Sequence, residues 1–386
     1  MKRHPSMLVP DFVREFEPYI PSKPDHLLKK YYNVPVLHRL NNNENPLGPP
    51  KGAVEALNRL KPKEMAVYPS GDAYDLKEFI AEKLNLHPDQ IIFGNGANEI
   101  IQFVIKAYCS QGDNIITGDK TFAVYEWVAE FSGVEARLTP MKNNGFDLDA
   151  MLAFMDERTK IIFICNPNNP TGTYVDEKTL INFMDKVDGR AIVVLDEAYC
   201  EFVDKKDFPD GTKLIDRYDN LLVFRTFSKM YGLAGLRIGY LMGSREAVYD
   251  VCRTRIVYSI NSAAQSAAIA AFGDSGHIED TKNLVSEGKS VIIPKLESLG
   301  LDVIQGEGNY VIAGLLFNDQ LAYRKLIKKG FMVRTMTSFR FPNHIRITIR
   351  EKHIMEALGQ AVEEMTFEMK NFLFTNQFQT AGKNEQ

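Results

Sequence analysis

Apolar and polar positions fall into blocks of two kinds along most of the chain. Longer stretches with apolar residues at helical spacing predict helices over 53–60, 74–84 and 99–108, and further on over 283–299 and 352–369. Short runs are apolar at almost every position: 91–93, 114–117, 161–165, 191–195 and 221–224. Such runs predict strands buried on both faces, as in a mostly parallel sheet covered by helices. After residue 275 the pattern changes. Predicted strands over 310–316, 331–333 and 344–349 make a smaller sheet, closed by the 352–369 helix. The opening stretch is rich in Pro and Asn (FEPYIPSKP, then LNNNENPLGPP) and predicts extended, turn-punctuated backbone rather than a regular helix.

These blocks divide the chain into an N-terminal arm over 1–50, a large α/β domain over 51–275, a smaller α+β domain over 276–370 and a tail over 371–386. The arm is expected to pack on the small domain or on a partner subunit. A length of 386 residues agrees with two or three domains at roughly 150 residues each.

Composition narrows the function classes. With 45% apolar and 25% charged residues, a large core can form without disulfides or metals. A net charge of −4 argues against nucleic acid as the main partner, because phosphate binding needs a basic surplus. No apolar run approaches the ~18 residues of a membrane span, and no signal segment is expected at the start. Cys109, Cys165, Cys200 and Cys252 form no C-x-x-C pair, so a reducing cytoplasm is the expected compartment. The histidines show no ligand spacing, and no metal is expected.

Four motifs lie at or just beyond the ends of predicted strands, where open α/β sheets bind ligands. Gly94-Asn95-Gly96-Ala97-Asn98-Glu99 leads into a helix, so its backbone could approach an anion; alone it could be an ordinary strand-to-helix turn. Asn166-Pro167-Asn168-Asn169-Pro170-Thr171-Gly172 is a rigid turn that would hold an amide side chain in place. Asp196-Glu197-Ala198-Tyr199 ends an apolar run, so Asp196 needs a cationic partner, which an internal salt bridge could also supply. Thr226-Phe227-Ser228-Lys229, with Arg237 further on, offers an amine nucleophile beside phosphate-binding groups; alone, Lys229 could be a solvated surface lysine. Together they are the groups needed to hold pyridoxal 5′-phosphate: an amine for the aldehyde, a carboxylate for the ring nitrogen, donors for the 3-oxygen and a cradle for the phosphate. The glycine pattern lacks the third glycine of a dinucleotide fingerprint.

On these motifs, and on Pro18-Tyr19-Ile20-Pro21, Asn43-Glu44-Asn45-Pro46, Tyr68-Pro69 and the run from His344 to Ile349, the chain resembles the histidinol-phosphate aminotransferases among the class I/II aminotransferases. The resemblance covers most of the chain. It implies the pyridoxal-phosphate-dependent transferase fold type I, with the large and small domains and arm above. It implies Lys229 as the Schiff-base lysine and proton shuttle, Asp196 at the ring nitrogen, and Asn169 and Tyr199 at the 3-oxygen. The Ala97 and Asn98 backbone, Thr226, Ser228 and Arg237 would hold the cofactor phosphate. Phe122 would stack on the ring, where relatives often carry tyrosine. Tyr68 would reach across a homodimer to the partner's cofactor. Tyr19, Arg334 and Arg346 would bind substrate. The implied reaction is ping-pong transamination between histidinol phosphate and 2-oxoglutarate. An aromatic amino acid aminotransferase and a threonine-phosphate decarboxylase-like enzyme are the alternatives. The implied partners are thus an amino donor, a 2-oxo acid and a second copy of the chain.

Overall fold

The computed structural model describes residues 4–18, 21 and 23–381, with side chains to residue 370. It contains, in chain order, the strands β1 His38–Leu40, β2 Ile91–Gly94, β3 Asn114–Gly118, β4 Glu135–Thr139, β5 Thr159–Cys165 and β6 Ile192–Asp196. These are followed by β7 Leu221–Thr226, β8 Gly239–Met242, β9 Val303–Gln305, β10 Tyr310–Gly314, β11 Phe331–Thr335 and β12 His344–Thr348. The chain forms two compact units: residues up to 20 with 44–281, and residues 21–43 with 282 onwards.

The first unit holds a seven-stranded sheet in the order β2-β8-β7-β6-β5-β3-β4. Only β8 runs against its neighbours; the other pairings are parallel. The expected mostly parallel sheet is therefore present. Its central strands are buried on both faces, which is why they read as unbroken apolar runs. Helix Ala97–Tyr108 lays Ile100, Ile101, Phe103, Val104 and Ile105 into the core beside Tyr125, Phe163, Val194 and Phe224. A fully buried side chain of this size contributes roughly 2 kcal/mol from transfer out of water.

The second unit is an α+β arrangement. Its sheet has the order β1-β11-β12-β10-β9, antiparallel except for the parallel pair β1 and β11. Some helices differ from expectation, among them the single turn Asp11–Arg14 within the arm. Asp25–Tyr32 is helical, although extended backbone was expected throughout residues 1–50. Pro24 stands just before its first turn, where a missing N–H costs nothing, so the prolines there start a helix instead of preventing one. The helix expected over 283–299 begins earlier, at Ser275, and runs to Ser298. Among the described residues no helix is long and apolar enough to cross a membrane.

Candidate functional site

The chain gathers its chemistry at one edge of the first sheet. Strands β2, β3, β5, β6 and β7 end there, and antiparallel β8 begins there. Register fixes the neighbours: Cys165 pairs with Asp196, Asp196 with Phe224, and Gly239 with both Thr226 and Gly94.

Asp196 ends β6 and is 3% exposed. Its carboxylate accepts a hydrogen bond from Ala198 N at 3.0 Å, closing an Asx turn as the chain leaves the sheet. The other oxygen accepts from the Tyr125 hydroxyl. Burial pushes the carboxyl up to about 7, against the lowering effect of these hydrogen bonds. No Lys, Arg or His among the described residues pairs with Asp196. The internal salt bridge belongs to its neighbour: Glu197, fully buried, accepts from Arg225 Nη2 at 2.7 Å and Nε at 2.8 Å. Two adjacent acids thus have different fates, one paired with an arginine and one raised by burial, with hydrogen-bond donors but no basic side chain beside it among the described residues.

Tyr125 went unnoticed in the sequence. Its ring stacks on Phe163 at 4.6 Å and meets Phe122 edge-on at 5.5 Å. Its position three residues after Phe122 on a helical stretch was the available signal, but the partner lies 71 positions away. Phe122 therefore sits beside the phenol that contacts Asp196.

Lys229 stands on a turn beyond β7. Ser228 N donates to Thr226 Oγ1 at 3.1 Å, Gly232 N to the Lys229 carbonyl at 3.2 Å, and Leu233 N to the Phe227 carbonyl at 3.0 Å. The Lys229 amine lies 5.9 Å from the centre of the Tyr199 ring, so the lysine and the phenol of the Asp196 turn are brought together. Asn169 is 8% exposed on the loop after β5. That loop is locked by Asn168, which donates to the Lys120 carbonyl at 3.0 Å and accepts from Thr121 Oγ1 at 2.6 Å.

The helix that starts at Ala97 has no side-chain cap. Its N-cap, Gly96, has φ +80°, and a Cβ there would collide with the Arg237 guanidinium. Arg237 donates to the Ala234 carbonyl at 3.0 Å and pairs with no carboxylate among the described residues. An exposed guanidinium beside the positive end of a helix offers donors that suit an anion. One end of the site therefore fits a phosphate, through the Ala97 and Asn98 backbone and Arg237, with Thr226 and Ser228 close by in the turn. The other end fits a protonated ring nitrogen at Asp196. Pyridoxal 5′-phosphate has both groups, with an aldehyde for Lys229. Among the described residues no group of His, Cys, Asp and Glu could hold a metal ion.

Tyr68 is 81% exposed and stacks on Tyr258 at 4.8 Å. Tyr19 lies outside the described residues. Arg334 and Arg346 belong to the second unit, directly opposite each other on β11 and β12. Both guanidinium groups lie over the Phe339 ring, at 5.4 and 5.8 Å from its centre. Arg346 also accompanies Tyr310, at 5.5 Å, and donates to the Asn41 carbonyl at 2.7 Å. Phe339 too escaped the sequence reading.

The profile of the aminotransferase class I and II family matches residues 36–364. A histidinol-phosphate aminotransferase of Moorella thermoacetica is 37% identical, covering 92% of both chains. Histidinol-phosphate aminotransferase 2 of Pseudomonas fluorescens is 39% identical, over 91% of this chain and 96% of its own. Among solved structures, histidinol-phosphate aminotransferase from Sinorhizobium meliloti, in complex with pyridoxal 5′-phosphate, superposes with a TM-score of 0.84 at 22% identity, over 93% of this chain and 97% of its own. Aspartate aminotransferase from Thermotoga maritima gives 0.79 at 22% identity, over 92% and 99%. At such identities the structural likeness speaks for the fold.

Proposed function

The chain belongs to the class I and II aminotransferases, and on that premise we propose that it moves the amino group of histidinol phosphate to 2-oxoglutarate, with pyridoxal 5′-phosphate as cofactor. When bound, the cofactor supplies an aldehyde for amines and a ring that takes up the electron pair left when a donor loses its Cα proton. The chain's residues do the rest. Lys229 Nζ would hold the aldehyde end and would serve as the base that moves the donor's Cα proton. Asp196 holds the proton on the ring nitrogen. Its carboxyl is buried, so the pairing acts at low dielectric, where it is strongest. Asn169 and Tyr199 donate to the 3-oxygen, and Phe122 covers the ring. Ala97 N, Asn98 N, Thr226, Ser228 and Arg237 hold the phosphate.

The observation that carries the substrate reading is the arginine pair. Like charges directly opposite on neighbouring strands destabilise a sheet unless an anion lies between them. Arg334 and Arg346 occupy such positions over one aromatic ring, and Arg334 pairs with no carboxylate among the described residues. Two planar guanidinium forks suit a phosphate or a carboxylate, so they serve a phosphorylated amine in one half-reaction and a dicarboxylic 2-oxo acid in the other. Tyr19 would close over the substrate.

We read the active form as a homodimer in which Tyr68 reaches the partner's cofactor phosphate. Supporting this, Tyr68 is exposed together with Met65, Val67, Ile256, Val257 and Tyr258, an apolar set larger than a lone surface residue needs. We place the enzyme in the cytoplasm, where its free thiols stay reduced.

The test is an amino-donor panel with 2-oxoglutarate: histidinol phosphate, phenylalanine, tyrosine and threonine phosphate, with carbon dioxide monitored. Histidinol phosphate is expected to give the highest kcat/KM. Arg334→Ala is expected to lower it about 100-fold for histidinol phosphate and far less for phenylalanine, as loss of a charge-assisted bidentate contact dictates. Equal losses on both donors would instead favour an aromatic amino acid aminotransferase.

A further inference from the structure

The carbonyl one residue beyond Lys229 is held from outside its own turn. Asn45 Nδ2 donates to the Met230 carbonyl at 2.7 Å, and His277 Nε2 lies 3.1 Å from the same oxygen. Met230 is fully buried. Asn45 uses its remaining capacity as well. It donates to Thr281 Oγ1 at 3.0 Å, and its own oxygen accepts from Leu47 N at 3.0 Å. The Asn45 amide and His277 Nε2 approach to 3.3 Å as they share the carbonyl. Since Asn45 spends both amide hydrogens on Met230 and Thr281, this network assigns the ring hydrogen of His277 to Nε2. His277 is itself fixed, because its backbone N donates to Asp274 Oδ1 at 3.0 Å in the first turn of helix Ser275–Ser298.

A second contact reinforces the first. Gly232, at φ +62°, lies directly against the Gly48 carbonyl, so close that any Cβ would collide with it. The segment after Asn45 and the turn after Lys229 therefore meet backbone to backbone. The turn's own hydrogen bonds shape it, but bonds within residues 227–233 do not set where it stands. A lysine amine sits at the end of a flexible four-carbon stem. Its productive position depends on how firmly the backbone beneath it is placed.

We propose that Asn45 and His277 are positioning residues that fix the Lys229 backbone through the Met230 carbonyl, so that the amine meets the cofactor aldehyde. The proposal rests on Lys229 being the cofactor-bearing lysine. In the step concerned, the neutral amine adds to the aldehyde carbon and the carbonyl oxygen leaves as water; no oxidant or reductant takes part.

The test uses the full chain stripped of cofactor. Two quantities are measured: the rate at which added pyridoxal 5′-phosphate is captured, followed by absorbance, and the affinity for pyridoxamine 5′-phosphate, which has no aldehyde and does not need the lysine. Asn45→Ala and His277→Leu are expected to slow capture roughly tenfold or more, since misplacement by about 1 Å can cost about 100-fold, with pyridoxamine phosphate affinity unchanged. His277→Gln keeps a donor and is expected to restore most of the rate. If either Asn45→Ala or His277→Leu captures at the wild-type rate, that residue has no positioning role. If the variants lose affinity for both compounds in proportion, they act by general loss of structure and the proposal fails. Should Asn45→Ala not fold, the His277→Leu and His277→Gln pair decides. Absence of capture by the wild-type chain would overturn the cofactor reading itself, a separate failure.

Discussion

A carboxyl with no cation beside it sets the residue-scale behaviour. Asp196 has a folded-state value raised from 3.8 to about 7 by burial. Between pH 4 and 7 the folded chain keeps a proton that the unfolded chain has released, so the stability linked to that proton is lost as pH rises through this window. Asp196→Asn removes the penalty. The cofactor-free variant is expected to melt a few degrees above wild type at pH 8 and level with it near pH 4, while transamination collapses; thermal melts across pH check this. A variant less stable than wild type at pH 8 would contradict it. The structure places Asp196, Lys229 and Arg237 at the strand ends where the sequence expected them, because each sits beside an apolar run that ends in a motif. Tyr125 and His277 were not legible in the sequence, and Asn45 stood out only within the Asn43-Glu44-Asn45-Pro46 motif without a contact assigned to it, because their partners are distant in sequence: Tyr125 lies 71 positions from Asp196, and Asn45 185 from Met230. Nothing local to either residue announces such a bond.

At the scale of elements, the proposed phosphate end turns on one glycine. Gly96 joins β2 to the helix from Ala97 in a left-handed conformation, with the Arg237 guanidinium against its Cα. Gly96→Ala combines backbone strain with displacement of Arg237. It is expected to cost about 1–3 kcal/mol of stability and to weaken binding of pyridoxamine 5′-phosphate, which urea unfolding and equilibrium dialysis would measure. Unchanged affinity would separate this turn from the cofactor. The buried strands were readable because burial on both faces leaves a continuous apolar run. Strand β4 was not, since its edge position tolerates Glu135 and Arg137, the latter ion-paired to Asp156 at 2.7 Å. Strand β1 is three residues long and owes its existence to pairing with β11, nearly 300 positions later. The helix Asp25–Tyr32 was hidden by prolines that lie before it rather than within it.

For the whole molecule, the fold class was readable but the strand order was not. Alternating helices and apolar strands imply a covered parallel sheet, yet nothing in β8 says that it inserts antiparallel between β2 and β7. That insertion matters, because it brings Gly239, and Arg237 just before it, to the edge where Gly94 and Thr226 end. Many lysines are spread over the chain, and Lys229 is the one proposed to carry the cofactor. The decisive measurement is therefore made on the intact protein. It is loaded with pyridoxal 5′-phosphate, reduced with borohydride and mapped by peptide mass spectrometry. One cofactor per chain on Lys229, and none on the Lys229→Ala protein, is the expected result. Cofactor on a different lysine, or none retained after reduction, would contradict the account.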